Sequence, residues 1–401
     1  MKTSSWRKQR NNRTLVHYIC YYNTLNSNRK ILVQPSAITK IDYIKSVLKG
    51  IGCDVILYSL AEGDSAGKWS FYRQKKVTID DSEEVLFIST WIRSNLFLKF
   101  FSRIWMWIQL LYYLLFRVHE NDCVILYHSL AIKPVIVFLK KWLGVKRELI
   151  VEVEEIFSAV YKYDSKKIQK EIEYIQAISS KNIVVNELMM DKCGLHNDFA
   201  VCYGSYNIAA RKKNQVLKTD DNKIHVVYAG VIGQKGTDAF LAVKIADALP
   251  QNYRIHILGY GTDVNIENLK RDIEIVNSKH KNVAVSYDGC LLGDDYIEFL
   301  QGCQLGLCTR TLEDEYSDYT FPSKVLVYLG NNVLPVCTPI RCIQHSQISK
   351  SVVFSNDASV DSIVNSILSI SSFSVDNTNV LKKLHSKFAD EMSKMVMNIA
   401  E

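Results

Sequence analysis

The 401-residue sequence contains no Cys-x-x-Cys pair, although it has ten cysteines. They stand singly, at Cys20, Cys53, Cys123, Cys193, Cys202, Cys290, Cys303, Cys308, Cys337 and Cys342, and no Cys/His cluster has metal-ligand spacing. That absence excludes a zinc-ribbon or thioredoxin-type motif and suits reduced thiols packed as small apolar residues in a cytoplasm. No apolar run follows the basic start (Lys2, Arg7, Lys8, Arg10, Arg13), which speaks against a secretory signal. No aromatic-and-basic motif of an RNA-binding module occurs, so nucleic acid is not an expected partner. A net charge of +7 still permits an anionic ligand or an anionic membrane surface. There is no short internal repeat.

What is present is a globular composition, 48% hydrophobic and 23% charged, in a chain too long for one compact core. Short apolar runs alternate with helical patterns. Strands are expected at 17–22, 54–60, 84–89, 123–128, 148–154, 182–185 and 199–203, with helices at 37–49, 95–118, 132–143 and 166–179. A polar, basic stretch at 207–223 reads as a linker. The alternation then restarts, with strands at 225–229, 254–258, 283–287, 305–309, 334–337 and 352–354 and helices at 236–249, 264–278, 294–302, 323–329 and 360–370. The expectation is an α/β fold of two Rossmann-like domains, 1–212 and 213–379, facing across a cleft. A C-terminal helix, 380–401, would cross back to the first domain.

The segment 91–118 is rich in Phe, Trp, Tyr and Leu but carries Arg93, Lys99, Arg103 and Arg117, which weigh against a spanning helix. Two readings remain. It is a buried helix of the first domain, or its aromatic-and-basic face, with Trp105, Trp107, Tyr112 and Tyr113, rests on a membrane.

Three turns in the second half can serve a phosphate. Phe321-Pro322-Ser323-Lys324 opens a helix, where Pro322 suits the first turn, the following N–H groups are expected to be unpaired, and Lys324 adds a full charge. An ordinary solvated helix start is the alternative. Gly230-Val231-Ile232-Gly233-Gln234-Lys235-Gly236 leaves a strand through glycines, and Lys235 can meet a phosphate. Gly259-Tyr260-Gly261 ends another strand. Each is weak alone; together Lys235, Gly259 and Lys324 would share one sheet edge.

In the order Gly230…Lys235-Gly236, Leu258-Gly259-Tyr260-Gly261, Tyr287-Asp288-Gly289-Cys290-Leu291 and Phe321-Pro322-Ser323-Lys324…Leu334-Pro335-Val336, the second half resembles glycosyltransferase family 4 and related GT-B enzymes. Glu152-Val153-Glu154-Glu155-Ile156 and Tyr203-Gly204-Ser205-Tyr206 look like the first domain of bacterial polysaccharide (capsule or O-antigen) glycosyltransferases. The resemblance implies transfer of a sugar from a nucleotide-sugar, UDP-linked, to a lipid-linked or growing surface glycan, with retention. It implies no metal and no cofactor, the nucleotide-sugar being substrate. Donor binding would fall to Gly230, Gly233, Gly236, Gly259, Gly261, Asp318, Tyr319, Phe321, Pro322 and Ser323, with Lys235 and Lys324 neutralising the diphosphate. The family's paired glutamates are Tyr319 and Val327 here, and the arginine that often follows the first glycine is Val231. Asp318 and Glu313-Asp314-Glu315 are the nearest acidic substitutes.

In the first domain His128 follows a strand and can bind a sugar hydroxyl or serve as a capped structural histidine. Glu154 or Glu155 can orient an acceptor or act as base, or face solvent or a lysine. Tyr22 and Asn23 are further acceptor-site candidates. The expected place of work is the cytoplasm, peripheral on the inner face of the cell membrane, with contact through 91–118. A GT-B epimerase and a catalytically silent nucleotide-sugar-binding subunit are the alternatives.

Overall fold

The computed structural model describes residues 13–23, 35–60, 62–63, 70–92, 95–195, 198–210, 222–234, 238–310, 318–373 and 377–397. The chain divides into two compact units. One comprises 1–185, 189–204 and 386–401, and the other 186–188 and 205–385. The division follows Gly204, a few residues ahead of the expected linker, and residues 211–221 of that linker lie outside the described residues.

The first unit is built on strands β1 (Leu15–Cys20), β2 (Asp54–Ser59), β4 (Lys75–Asp80), β5 (Glu83–Phe87), β7 (Cys123–Tyr127), β8 (Ile150–Val153), β9 (Lys181–Val184) and β10 (Phe199–Val201). They form one sheet in the order β10-β9-β8-β7-β1-β2-β5-β4. All neighbours run parallel except β4 against β5. The parallel strands β1, β7, β8 and β9 are almost wholly buried, which is why their sequences are unbroken apolar runs. Strand β4 was not legible that way: Lys75-Lys76-Val77-Thr78-Ile79-Asp80 is exposed along nearly its whole length on the sheet edge. Its charges blunt that edge. Short β3 (Phe71–Tyr72) and β6 (Thr90–Trp91) pair with each other.

Helices α1 (Pro35–Gly50), α2 (Leu96–Phe116), α3 (Lys133–Val137), α4 (Phe157–Val160), α5 (Ser165–Ile178) and α6 (Glu187–Cys193) connect these strands. Where an N-cap accepts from the first turn the start is fixed: Asn95 for α2 (2.9 Å from the Leu98 amide) and Asp164 for α5 (3.0 Å from that of Lys167). Each such cap stabilises by about 1 kcal/mol. The expected single helix over 132–143 is instead α3 followed by a π-helical turn, Phe138–Trp142.

The second unit holds β11 (Ile224–Ala229), β12 (Tyr253–Leu258), β13 (Val285–Gly289), β14 (Leu305–Cys308), β15 (Leu334–Cys337) and β16 (Val353–Phe354), all parallel, in the order β13-β12-β11-β14-β15-β16. That is the doubly wound order whose reversal, between β11 and β14, opens a ligand crevice at the strands' carboxyl ends. Helices α7 (Asp238–Ala248), α8 (Asp263–Lys279), α9 (Gly293–Gln301), α10 (Lys324–Gly330), α11 (Arg341–Gln344) and α12 (Val360–Leu368) complete it. The core joins Val226, Ile255, Leu305 and Val336 of the sheet to Phe240 and Leu269 of α7 and α8. Helix α13 (Thr378–Met397) ends the described chain. From Ser386 on it groups with the first unit, where Phe388 stacks on Tyr43 and Lys181 donates to the Met395 carbonyl.

Candidate active site

At the carboxyl ends of β11 and β12 the second sheet continues into its loops. Gly230 N–H donates to Leu258 O (3.0 Å), Ile232 N–H to Tyr260 O (2.8 Å) and Gly259 N–H to Gly289 O (2.8 Å), and Ile232 bridges Gly261. Gly259 has φ +149°, and a Cβ there would drive into the Gly230 carbonyl oxygen. Only glycine meets both conditions. A Cβ on Gly230 would lie 3.1 Å from Lys324 Nζ and 3.0 Å from the Tyr228 hydroxyl, so its absence lets the lysine stand over the turn. Val231 and Tyr260 are exposed beside it, and Gly233 is half-buried.

Lys324 Nζ lies 4.3 Å from the Tyr228 ring centroid and 3.9 Å from Asp238 Oδ2. Among the described residues it donates no hydrogen bond. A cation held by a ring face and a distant carboxylate keeps its donors for a ligand. Thr309, fully buried just after β14, likewise has an Oγ1 with no partner among the described residues. The structure thus brings Gly230, Gly259, Gly261 and Lys324 together. Lys235 and Gly236 lie outside the described residues, as do Glu313, Asp314 and Glu315.

Two expectations need correction. The amides after Pro322 are free only in part: those of Ser323 and Lys324 have no acceptor among the described residues, whereas Val325 N–H donates to Pro322 O (3.1 Å), and Leu326 and Val327 N–H to Ser323 O (3.0 and 3.3 Å). Short-range bonds tighten the first turn of the seven-residue α10, and the Lys324 side chain adds a full positive charge beside the two unpaired amides. Asp318 is not an open acceptor for a ligand either. It is fully buried and accepts from Arg341 Nη1 at 2.9 Å, an ion pair a buried carboxylate requires. The Asn186 amide ties down the same turn by donating to the Asp318 and Thr320 carbonyls. Phe321 is buried, Tyr319 half-buried, and Pro322 and Ser323 supply carbonyls to α10. Val327 packs against the buried cluster that includes Leu258, Phe299 and Tyr328.

In the first unit the strand order reverses between β1 and β7, and His128 follows β7. It is buried, and its Nε2 lies 2.7 Å from Glu171 Oε1. The same carboxylate accepts from the Phe157 and Ser158 amides at the start of α4 (2.9 and 2.8 Å). Burial alone would raise the Glu171 carboxyl, but these bonds hold it below the usual range. Nε2 therefore carries the proton and donates. Nδ1 meets no partner among the described residues.

Glu154 makes an ion pair with Lys40, a lysine nine-tenths buried or more. Burial alone would lower that ammonium, yet Glu154 pulls it above its ordinary value. Glu155 is half-buried alongside. Glu152, to which the sequence motif assigned no role, is wholly buried and takes a hydrogen bond from Tyr18. Burial, and then the charge of Glu154, push its carboxyl up to about 8. Only the β-strand period, which points Glu152 and Glu154 to the same side, could have linked the two beforehand. Tyr22 packs inward with its hydroxyl on Asp42 Oδ1 (2.8 Å), which commits it to α1; Asn23 is half-buried. Among the described residues no group of three or more His, Cys, Asp or Glu could hold a metal ion.

Helix α2 shows how the segment 91–118 is used. Its buried side is Ser102, Met106, Leu110, Tyr113 and Leu114. Tyr113 bonds to His17 (2.7 Å) and stacks on Tyr58, and Trp107 donates to the Ala131 carbonyl (2.7 Å), so these two aromatics are structural. The other side is exposed and, apart from Lys99, wholly apolar: Leu96, Phe97, Phe100, Phe101, Trp105, Ile108, Tyr112, Leu115 and Phe116. At 100° per residue they cover roughly half the circumference. No helix of the described residues is long and apolar enough to cross a membrane.

Solved structures share this architecture. One described as trehalose-6-phosphate from E. coli bound with UDP-2-fluoro glucose superimposes with a TM-score of 0.67 at 11% identity, covering 97% of this chain and 99% of that one. The fold is GT-B. The alpha,alpha-trehalose 6-phosphate synthase of Burkholderia multivorans matches with a TM-score of 0.67 at 10% identity over 97% of both chains. A UDP-forming alpha,alpha-trehalose-phosphate synthase of Burkholderia xenovorans, in complex with glucose-6-phosphate, gives 0.64 at 9% over 96% of this chain and 100% of that one. No protein-family model matches the sequence, and no curated protein matches it.

Proposed function

We propose that the chain is a glycosyltransferase that moves a sugar from a nucleoside-diphosphate sugar, UDP-linked, to a glycan acceptor with retention. The observation that carries this reading is Lys324, an ammonium with no hydrogen bond among the described residues, standing over the glycine turns at the ends of β11 and β12. The sugar C1–phosphate bond breaks, its electron pair stays on the departing diphosphate, and Lys324 meets the negative charge as it develops. The acceptor oxygen forms the new C1–O bond on the same face and passes its proton to the leaving phosphate. His128 Nδ1, its ring fixed by Glu171, offers an acceptor to a sugar hydroxyl. This chemistry draws on no bound metal or cofactor.

The exposed apolar face of α2 supports a peripheral position on a membrane, where a lipid-linked or growing surface glycan is met. A sugar-phosphate acceptor is the second reading, favoured by the similar structure that contains glucose-6-phosphate. The test is a panel of UDP-sugars assayed for UDP release alone, with a lipid-linked glycan and with glucose-6-phosphate. Release that depends on the lipid-linked acceptor supports the first reading, and dependence on glucose-6-phosphate the second. Conversion of the donor without any acceptor would mark an epimerase. UDP binding without turnover would mark a silent subunit.

A further inference from the structure

Beside α2 lies a feature that the sugar-transfer chemistry does not use. The π-helical turn Phe138–Trp142 is an uncommon element that clusters at functional sites. It presents Phe138 and Trp142 outward, with Trp142 77% exposed. Lys140 and Arg147 are half-buried here. Lys140 Nζ donates to the Arg147 carbonyl (3.0 Å), and Arg147 donates to the carbonyls of Leu114 and Val118 (2.8 and 3.0 Å) at the end of α2. Neither forms an ion pair among the described residues. Glu148 is the acid whose field reaches Lys140, and Asp122 and Glu120 those that reach Arg147. Asp122 already accepts from the His119 amide and from His17. Burial lowers both cations from their ordinary values, as expected where no anion is close. Leu114, Ile136, Leu139 and Val145 line a small apolar recess between these two cations. Lys141 and Lys146 are exposed next to it.

An anion is the missing partner for this group, and the neighbouring apolar face says which kind. We propose that the segment 138–147 is a headgroup site for an anionic phospholipid. In this arrangement α2 lies in the plane of one leaflet, Trp142 sits at the headgroup level, and Lys140 and Lys141 hold the lipid phosphate, with the Arg147 charge behind them. This rests on the peripheral-membrane reading above and adds the lipid class and the residues that select it.

The experiment is vesicle flotation of the full chain with phosphatidylcholine vesicles and with mixed phosphatidylcholine–phosphatidylglycerol vesicles. It compares wild type, Lys140→Gln/Lys141→Gln and, as a charge-matched control on α5, Lys166→Gln/Lys170→Gln. Wild type is expected to bind the mixed vesicles more tightly. The 140/141 variant should lose about 30-fold on mixed vesicles, the effect of two cations near a charged surface. It should keep wild-type binding to phosphatidylcholine, and the control should match wild type on both. Equal wild-type binding to the two vesicles, or equal losses in both variants, would overturn the headgroup site and leave the membrane reading standing. Failure of wild type to float on either vesicle would overturn both. A lipid-free dimer abolished by Phe100→Glu/Ile108→Glu, with no flotation, would assign the face to a second copy instead. Inorganic phosphate that competes for the 140/141 site as strongly as the vesicles do would also refute a lipid site.

Discussion

Replacing Lys324 by alanine isolates the proposed role of the second unit, because the side chain contributes little else. Its ammonium makes no hydrogen bond among the described residues, and its carboxylate neighbour, Asp238, is 3.9 Å away. Within the folded protein, truncation removes the attraction of the cation to the Tyr228 ring, worth about 0.5–2 kcal/mol for a side chain mostly withdrawn from solvent. The melting temperature should therefore move by only a few degrees. Against a leaving diphosphate the same charge counts for more. A hydrogen bond to a charged group is worth about 1.5–3 kcal/mol, so turnover should fall roughly 10- to 150-fold. If the ammonium acts on charge that appears only as the bond breaks, kcat and kcat/KM drop together. If it only holds the donor, KM rises and kcat stays. UDP release under saturating acceptor, with UDP affinity from calorimetry, separates the two. A variant within twofold of wild type in kcat/KM and in UDP affinity would refute the proposed donor site.

Gly259→Ala should lose donor binding altogether and destabilise the second unit, since φ +149° and the Gly230 carbonyl both oppose a methyl group; UDP titration and thermal melting check it. Glu152 predicts a pH effect of definite sign. Its folded-state carboxyl titrates at about 8 against an ordinary 4.5, so between these values the folded chain holds a proton that the unfolded chain releases. Stability contributed by Glu152 thus falls as pH rises through that window and is flat above it. Glu152→Gln should remove that slope in urea melts at pH 5, 6.5 and 8.5, and an unchanged slope would show that another group carries it. Phe100→Glu/Ile108→Glu should abolish flotation while leaving the melting temperature nearly unchanged, because both side chains are more than half exposed.

Alternation of buried parallel strands and helices was legible because such strands, covered on both faces, are written as unbroken apolar runs such as Cys123–Tyr127. The edge strand Lys75–Asp80 was not, since an exposed edge imposes no apolar pattern. The glycine turns could be read as ligand-approach points, but their mutual contact could not, because it depends on the register of two strands nearly thirty residues apart. Asp318 looked available from its neighbours in sequence, and its commitment to Arg341 arises from a partner 23 positions on. Glu152, named in a motif, received no role for a similar reason. A glutamate in a strand ordinarily reads as solvated, and only the placement of Tyr18, 134 residues away, shows otherwise.

The backbone bonds that carry the second sheet past Ala229 and Leu258 bear on how a donor would be chosen. Loops laced to each other in this way form a stiff ledge, with the ordering entropy already spent when the chain folds. A ligand arriving there would fit or fail without reshaping it. Changes of donor preference would then come through the outward side chains at Val231 and Tyr260, which can vary while the ledge itself stays fixed.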